Sequence, residues 1–432
     1  MTQPMSRVRY RVGTMNFLAA LINYGDRVAI SVTAPFILAE FHFSAAVWGV
    51  VLSAFFWTYS PAALLGGFMV DRIGVRRAYT ACMVVWSLTI PLTASAWNAV
   101  SFIVARLLFG FGEGPQVPIS TTLTANWFPR RQTSAVLNLA QSGTTIGPVI
   151  ATPLVVWSSS TLGWRPTFVI LGAFGLVWAV VWWFVARDRP ADHPSANDAE
   201  RAFIAADHET AAAEGESGDR PRFWTLLRDP SVVALSIGFF AYSWVLFMFL
   251  TWYPQYLVQA RGVSKADLGG IATIPWVTAT VGLIAGGLFA DRLVKRRGSY
   301  VKPRKWMIVG SLVGVAVCVP PSAFVGSATL ALVLVSIATF FLLASFHYQS
   351  LIVALVPRAY TGRLAGVIQM VSTIAGILAP IVTGLVVQST GGFAMAFVVA
   401  GALTLVGAIA VLALVRESRR TSSAATTLPA TP

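Results

Sequence analysis

Twelve runs of about twenty apolar residues, separated by short polar breaks, constrain this 432-residue chain more than any other feature. A helix needs roughly 20 such residues to cross about 30 Å of hydrocarbon. In lipid, backbone polar groups are satisfied only within helices or closed barrels. The runs fall at 14–38, 47–70, 78–97, 100–122, 135–157 and 165–186, then at 231–254, 267–290, 306–325, 328–350, 362–388 and 392–415. They predict an all-α membrane protein with twelve transmembrane helices. Only 11% of the residues are charged, against about 25% in soluble domains. The formal charge of +14 does not mark a nucleic-acid binder, because basic residues punctuate the apolar runs instead of forming one patch. Arg7, Arg9 and Arg11 resemble the start of a signal peptide, but the stretch that follows is too long and contains Asp26 and Arg27. It is expected to stay as the first membrane helix.

Charge placement orients these spans. With both termini in the cytoplasm, 26 of the 31 lysines and arginines fall in cytoplasmic segments. Arg165, Arg261 and Lys265 fall on the opposite side, and Arg27 and Arg106 lie within spans. This asymmetry is the positive-inside pattern, and it predicts a multi-pass inner-membrane protein.

The chain also repeats itself. Gly66-Gly67-Phe68-Met69-Val70-Asp71-Arg72 after span 2 recurs as Gly286-Gly287-Leu288-Phe289-Ala290-Asp291-Arg292 after span 8. Trp127-Phe128-Pro129-Arg130 is echoed by Leu355-Val356-Pro357-Arg358, and Gly147-Pro148 by Ala379-Pro380. Offsets near half the chain length predict two similar six-helix bundles related by an axis along the membrane normal. The expected units are residues 1–186 and 231–432, the second ending in a short cytoplasmic tail. The polar, charge-balanced stretch 187–230 reads as a cytoplasmic linker with a few turns of surface helix around 197–213. The duplicated Gly-Asp-Arg turns carry a resemblance to the major facilitator superfamily across essentially the whole chain. On that resemblance, Gly67, Asp71, Arg72, Gly74, Arg76, Asp291 and Arg292 are expected to form a cytoplasmic latch between the bundles, breaking in the inward-open state.

Among 17 acidic residues only Asp26 and Glu113 fall well inside a span, and Arg27 and Arg106 are the only intramembrane cations. Each costs at least about 2.5–3.5 kcal/mol at mid-bilayer. The bland explanation is two buried ion pairs that fix helix packing, but such pairs stabilise poorly compared with apolar contacts. Arg106 and Glu113, seven apart, share a helix face about 10 Å apart. Asn23 and Asp26 share a face on span 1, with Arg27 one step round. Burial raises a carboxylate's pKa and a neighbouring arginine lowers it, so a carboxyl between those influences can take and release a proton. Fixed guanidinium groups suit bidentate binding of a substrate carboxylate. This chemistry is coupled binding and translocation of a proton with an anion.

Asn23-Tyr24-Gly25-Asp26-Arg27, Ser53-Ala54-Phe55-Phe56-Trp57-Thr58-Tyr59, Arg106 with Gly112-Glu113-Gly114-Pro115, Trp127-Phe128-Pro129 and Thr251-Trp252-Tyr253-Pro254-Gln255-Tyr256-Leu257 together resemble the anion:cation symporter family. The resemblance implies alternating-access import of hexuronates, aldonates, aldarates or aromatic acids. It further implies Asp26 and Glu113 as proton sites, with Arg27, Tyr59 and Arg106 in the substrate and coupling network. It leaves open which arginine holds the substrate. Where sugar-acid members commonly carry asparagines, this chain has Gln369 and Thr373, and Ile119-Ser120-Thr121 follows Pro118. Fewer amides give less grip on a polyol, so a less hydroxylated acid stands as the second expectation behind a sugar acid.

Asn23, Gln141 and Tyr348 complete the expected substrate contacts, while Asn138, His347 and Gln349 balance between packing and binding. Trp157, Trp164, Trp178, Trp182 and Trp183 are expected in an interfacial belt, and Trp252 and Trp276 near a cavity. Cys82 and Cys318, both within apolar runs, argue against a disulfide or metal site. No phosphate loop, zinc-protease pair or nucleophile elbow with a triad is present. A monomeric transporter without cofactor, metal or enzymatic activity is therefore expected, its partners being protons, a small carboxylate and the bilayer. The rivals are a same-fold exporter and, more distantly, a non-transporting membrane sensor.

Overall fold

The computed structural model describes residues 4–213, 223–297, 299, 301–344, 347–348, 351, 355 and 358–416. Helices follow the apolar runs. In the first half they are α1 (Val8–Val32), α2 (Ala34–Phe41), α3 (Ala45–Thr89), α4 (Ala99–Glu113), α5 (Gln116–Trp127), α6 (Arg130–Gln141), α7 (Gly143–Thr161) and α8 (Trp164–Val185). After α9 (Asp198–Ala213) and α10 (Phe223–Leu227) come α11 (Pro230–Arg261), α12 (Leu268–Arg297), α13 (Val301–Phe324), α14 (Ala328–Ala344), α15 (Arg358–Thr390) and α16 (Ala394–Leu414). Eight described helical stretches are long and apolar enough to cross a membrane, and one of them, Ala45–Ser95, holds two spans. Those two spans meet at Gly74, whose φ of +80° turns the chain. The three other spans are α1 with α2, α4 with α5, and α14, which brings the membrane crossings to twelve.

The chain divides into two compact units, residues 1–43 with 50–218 and residues 44–49 with 219–432. Within each unit the duplicated motif does the same mechanical work. A Cβ on Gly66 would come within 2.6 Å of Pro115 Cα, and one on Gly286 within 2.3 Å of the Ala344 carbonyl oxygen. The second glycines, Gly67 and Gly287, have nothing within 4 Å. Eight residues before each first glycine a threonine bonds to the facing span: Thr58 Oγ1 to Leu107 O at 2.6 Å, and Thr278 Oγ1 to Ser336 O at 2.9 Å. The repeat is thus a pair of close helix crossings, made where small residues let backbones touch. Val356 and Pro357 of the Leu355–Arg358 echo, and Gln349, lie outside the described residues.

The linker departs from expectation. Its helix lies where the composition placed it, but residues 186–204 dock on the first unit and bury Pro190, His193, Ala196, Glu200 and Ile204. Apolar burial is only part of the reason; polar contacts supply the rest. The first N–H groups of any helix lack partners, and Glu200 supplies them for α1. Its carboxylate accepts from Ser6 Oγ (2.6 Å), the backbone N–H groups of Val8 (3.1 Å) and Arg9 (3.2 Å), and Arg9 Nη1 (3.1 Å). Reciprocally, Asn197 Oδ1 caps α9 through Glu200 N–H and also accepts from Ser6 N–H. His193 Nε2 donates to Val185 O at 3.1 Å while its Nδ1 accepts from Ser195 N–H at 3.1 Å, the pattern of a neutral ring. Burial lowers the His193 pKa from its usual value.

The tryptophans also differ. Trp157 and Trp183 are exposed as a belt requires, but Trp164, Trp178 and Trp182 are buried. Trp178 stacks on Trp182 at 5.2 Å, and their indoles donate to Met15 O and Arg76 O. Trp164 instead donates to Glu40, which Arg165 also holds in a two-pronged pair. An indole N–H with a protein acceptor has no need of the headgroup region.

Candidate substrate and coupling site

The site is assembled on α1 by close packing behind it. Cβ atoms on Gly143 and Gly147 would come within 2.9 Å of Ala20 and 2.6 Å of the Leu21 carbonyl oxygen, so α7 presses flush against one face of α1. Asn23 and Arg27, four residues apart, occupy the other face and project into the unit. A second set of glycines seats α4 there. Gly110 would collide with Phe55 O at 2.1 Å, Gly112 with Trp86 N at 2.9 Å and Gly114 with Tyr59 O at 2.4 Å if any carried a side chain. Glu113 is therefore wedged between the two spans of α3, and it is fully buried.

The four buried charges do not form two ion pairs. Arg27 Nε donates to Glu113 Oε1, with 5% and 0% of the side chains exposed. Its guanidinium also lies over the rings of Tyr24 (4.8 Å), Phe55 (4.9 Å) and Tyr59 (4.5 Å). Arg106 lies over the same Phe55 ring at 4.9 Å and over Phe109 at 5.4 Å. Phe55 thus has two guanidinium groups 4.9 Å from its ring centre, and the electron-rich ring attracts both. Arg106 is 5% exposed, its Nε has no hydrogen-bond acceptor, and among the described residues no carboxylate pairs with it. Glu113 Oε2 is likewise buried without a hydrogen bond among the described residues. Asn23 faces it but does not close a bond of ordinary geometry. Asp26 turns elsewhere: its Oδ2 accepts from Trp86 Nε1 at 2.8 Å. Asn23 and Asp26, on one face of α1, thus look toward different groups, Glu113 and Trp86.

Below this cluster a polar chain joins three helices. Gln116 Nε2 donates to Tyr79 OH at 3.2 Å, and Tyr79 OH donates to Asn16 Oδ1 at 3.1 Å. Sequence reasoning missed these residues and Trp86. A tryptophan placed mid-span, away from either interface, was the available signal for the latter.

The other expected site residues are distributed differently. Gln141 is half-buried at the end of α6 and makes no hydrogen bond among the described residues. In the second unit Tyr348 is fully buried and its hydroxyl donates to Gly238 O at 3.2 Å. Gln369 is exposed, and Thr373 Oγ1 donates to its carbonyl oxygen at 3.1 Å. At the basic turns, Asp188 occupies the space over Gly74, where a Cβ would meet its Oδ1 at 2.5 Å. Asp188 also accepts from Arg76 N–H at 2.8 Å, and the Arg76 side chain donates to Trp183 O. Asp291 pairs with Arg304 at 3.0 Å. Asp71, Arg72 and Arg292 are exposed and make no ion pair among the described residues.

Glycine-seated helices, a duplicated turn and an intramembrane charge cluster define a secondary transporter, and the family model described as Major Facilitator Superfamily matches residues 17–380. The chain belongs to that superfamily and is a multi-pass membrane transporter, not an enzyme. Among individual proteins it is similar to the "Hexuronate transporter" of Bacillus subtilis, 35% identical with 93% of each chain covered. It is also 30% identical to the "Probable sulfoacetate transporter SauU" of Cupriavidus necator, with 94% of each covered. Among solved structures, a bacterial homolog to the human lysosomal transporter Spinster aligns with a TM-score of 0.70 at 17% identity, covering 98% of both chains.

Proposed function

We propose that this protein is a proton-coupled symporter that imports a small organic carboxylate, a sugar acid in the first place, by alternating access across a bacterial inner membrane. The observation that carries the reading is Arg106, a buried guanidinium with an open Nε beside a carboxylate that already has its own arginine. A buried cation without a counter-ion is costly, and a substrate carboxylate supplies that counter-ion through two parallel hydrogen bonds. Arg27 then restrains Glu113 and Arg106 takes the substrate. With all four groups charged the cluster is neutral; protonating Asp26 makes it positive and favours an anion. Proton and substrate each strengthen the other's binding, which is the reciprocity symport requires.

The basic turns are assigned to the cytoplasm by the positive-inside rule. Residues 1–186 and 231–432 act as the two moving bundles. The latch proposed for Gly67, Asp71, Arg72, Gly74, Arg76, Asp291 and Arg292 draws support from Asp71, Arg72 and Arg292, which are exposed and make no ion pair among the described residues. The hexuronate relative favours a hydroxylated acid. A less hydroxylated acid is the second reading, supported by Gln369 and Thr373 in place of asparagines and by the sulfoacetate relative.

The test is reconstitution in liposomes with a pH-sensitive dye, challenged with hexuronates, aldonates, aldarates, aromatic acids and sulfonated acids. Proton influx triggered by one acid class, and absent in Glu113→Gln, is the expected result. Folded protein that gives no influx with any acid overturns the reading in favour of export or a non-carboxylate substrate.

A further inference from the structure

Two carboxyl groups sit in the cluster, and their surroundings differ in kind. Glu113 is held by a guanidinium, which keeps its charge at every physiological pH. Asp26 is held by an indole, a neutral group that donates and cannot accept. Trp86 reaches Asp26 only because Gly112 lets the α3 backbone at Trp86 approach within van der Waals distance of α4. The indole is fully buried and bonds Oδ2 at 2.8 Å. Among the described residues Asp26 Oδ1 accepts no hydrogen bond. Around Asp26, from α4 comes Glu113; from α1 comes Arg27, committed to Glu113; from α3 comes Trp86, uncharged; and α7 presents Gly147 and Ala151 to Gly25.

We infer that Trp86 is a positioning residue for the coupling proton: its N–H holds Asp26 Oδ2, so that Oδ1 alone takes up and releases the proton. The inference rests on the reading of Asp26 as a proton site. An N–H that cannot accept bars the proton from Oδ2 and stabilises the carboxylate left after release. Loss of that donor leaves the acid form favoured. Proton binding from outside then becomes easier, proton release inside becomes harder, and net uptake slows while exchange, which needs no release, does not.

The variants are Trp86→Phe and Trp86→benzothienylalanine; the second replaces only the N–H by sulfur and keeps the ring's volume. The protonated carboxyl of Asp26 is followed by its infrared C=O band, assigned by its loss in Asp26→Asn. A hydrogen bond to a charged group predicts that the midpoint of this band rises by about one to two pH units in both variants. Net substrate-driven proton influx is expected to fall about tenfold or more, and counterflow exchange to stay within about twofold. In an Asp26→Ala background, where position 26 offers no acceptor to the indole, the same changes at 86 are expected to leave counterflow exchange unchanged. An unmoved midpoint in the benzothienylalanine protein, or equal slowing by Trp86→Phe with and without Asp26, overturns the inference. A shifted midpoint in protein that moves no proton with any acid would uphold the Trp86–Asp26 link and overturn the symport reading instead. Influx with an unmoved midpoint would do the reverse.

Discussion

The two halves of this chain share a framework and differ in what they place inside it. In the first unit Gly66, Gly110, Gly112 and Gly114 seat helices around Arg27, Glu113, Arg106 and Asp26. In the second, Gly282 and Gly286 seat α12 on α14 with equal intimacy, but the interior is aromatic. There, among the described residues, three of the large buried side chains end on backbone carbonyls: Tyr348 on Gly238, Tyr256 on Ser322 and Trp252 on Pro380. Charged pairs lie at the margin, where Arg304 holds Asp291. Duplication therefore preserved the mechanics of helix contact and left the chemistry free to diverge. A glycine contact depends on the main chain, which both copies retain. A buried charge costs energy wherever it stands, so one half carrying it suffices.

The sharpest way to break this contrast is to remove one charge. Arg27→Met leaves Glu113 buried alone and is expected to destabilise the protein by about 3–5 kcal/mol, read as a fall in thermal midpoint, with substrate accumulation lost. Arg27→Met with Glu113→Gln is expected to regain most of that stability and none of the transport. Recovery of both would make the pair structural only.

Glu200→Gln tests whether the docked linker belongs to the first unit. It removes the counter-ion of buried Arg9 and should cost about 3 kcal/mol locally, measured as faster hydrogen exchange at the start of α1 and along α9. Unchanged exchange there would detach the linker from the unit. Next in size, Arg106→Lys keeps the charge but loses the planar fork. Substrate affinity should fall about tenfold or more, and unaltered binding would remove Arg106 from the site.

In the second unit Tyr348→Phe should cost about 1 kcal/mol of stability and leave transport within about twofold. A tenfold loss of transport would place Tyr348 at the substrate and dissolve the division between the halves. The smallest effect concerns pH. His193 binds its proton less readily when docked than when free. The undocked linker therefore holds more protons between the docked value and the usual one near 6.5. Docking stability is then complete above that usual value and declines as pH falls through it. Protection factors at residues 193–204, taken relative to the intrinsic exchange rate at each pH, should fall by roughly threefold or less from pH 7.5 to 5.5, and His193→Gln should flatten the profile.

Much of this was legible in the linear chain because it rests on properties a helix carries by itself. Length and apolarity mark a span, and the duplicated Gly-Gly-x-x-x-Asp-Arg string marks a repeat, whatever the neighbours are. The membership of Asn23, Asp26, Arg27, Tyr59, Arg106 and Glu113 in one cluster also followed, since intramembrane charges seek each other. The linker was less legible. Its composition promises little apolar burial, and only a folded chain shows that Glu200 meets the unpaired N–H groups of α1, nearly 200 positions away.

Sequence alone determined that this chain crosses a membrane twelve times in two related halves and that four charged groups lie buried in the first of them. Tertiary structure alone decided the partners: Glu113 with Arg27, Asp26 with Trp86, and Arg106 with no carboxylate among the described residues. Helical periodicity states which side chains share a face. The rotation of one helix against the next is set by glycine contacts such as Gly112 on Trp86, which periodicity within one helix does not state.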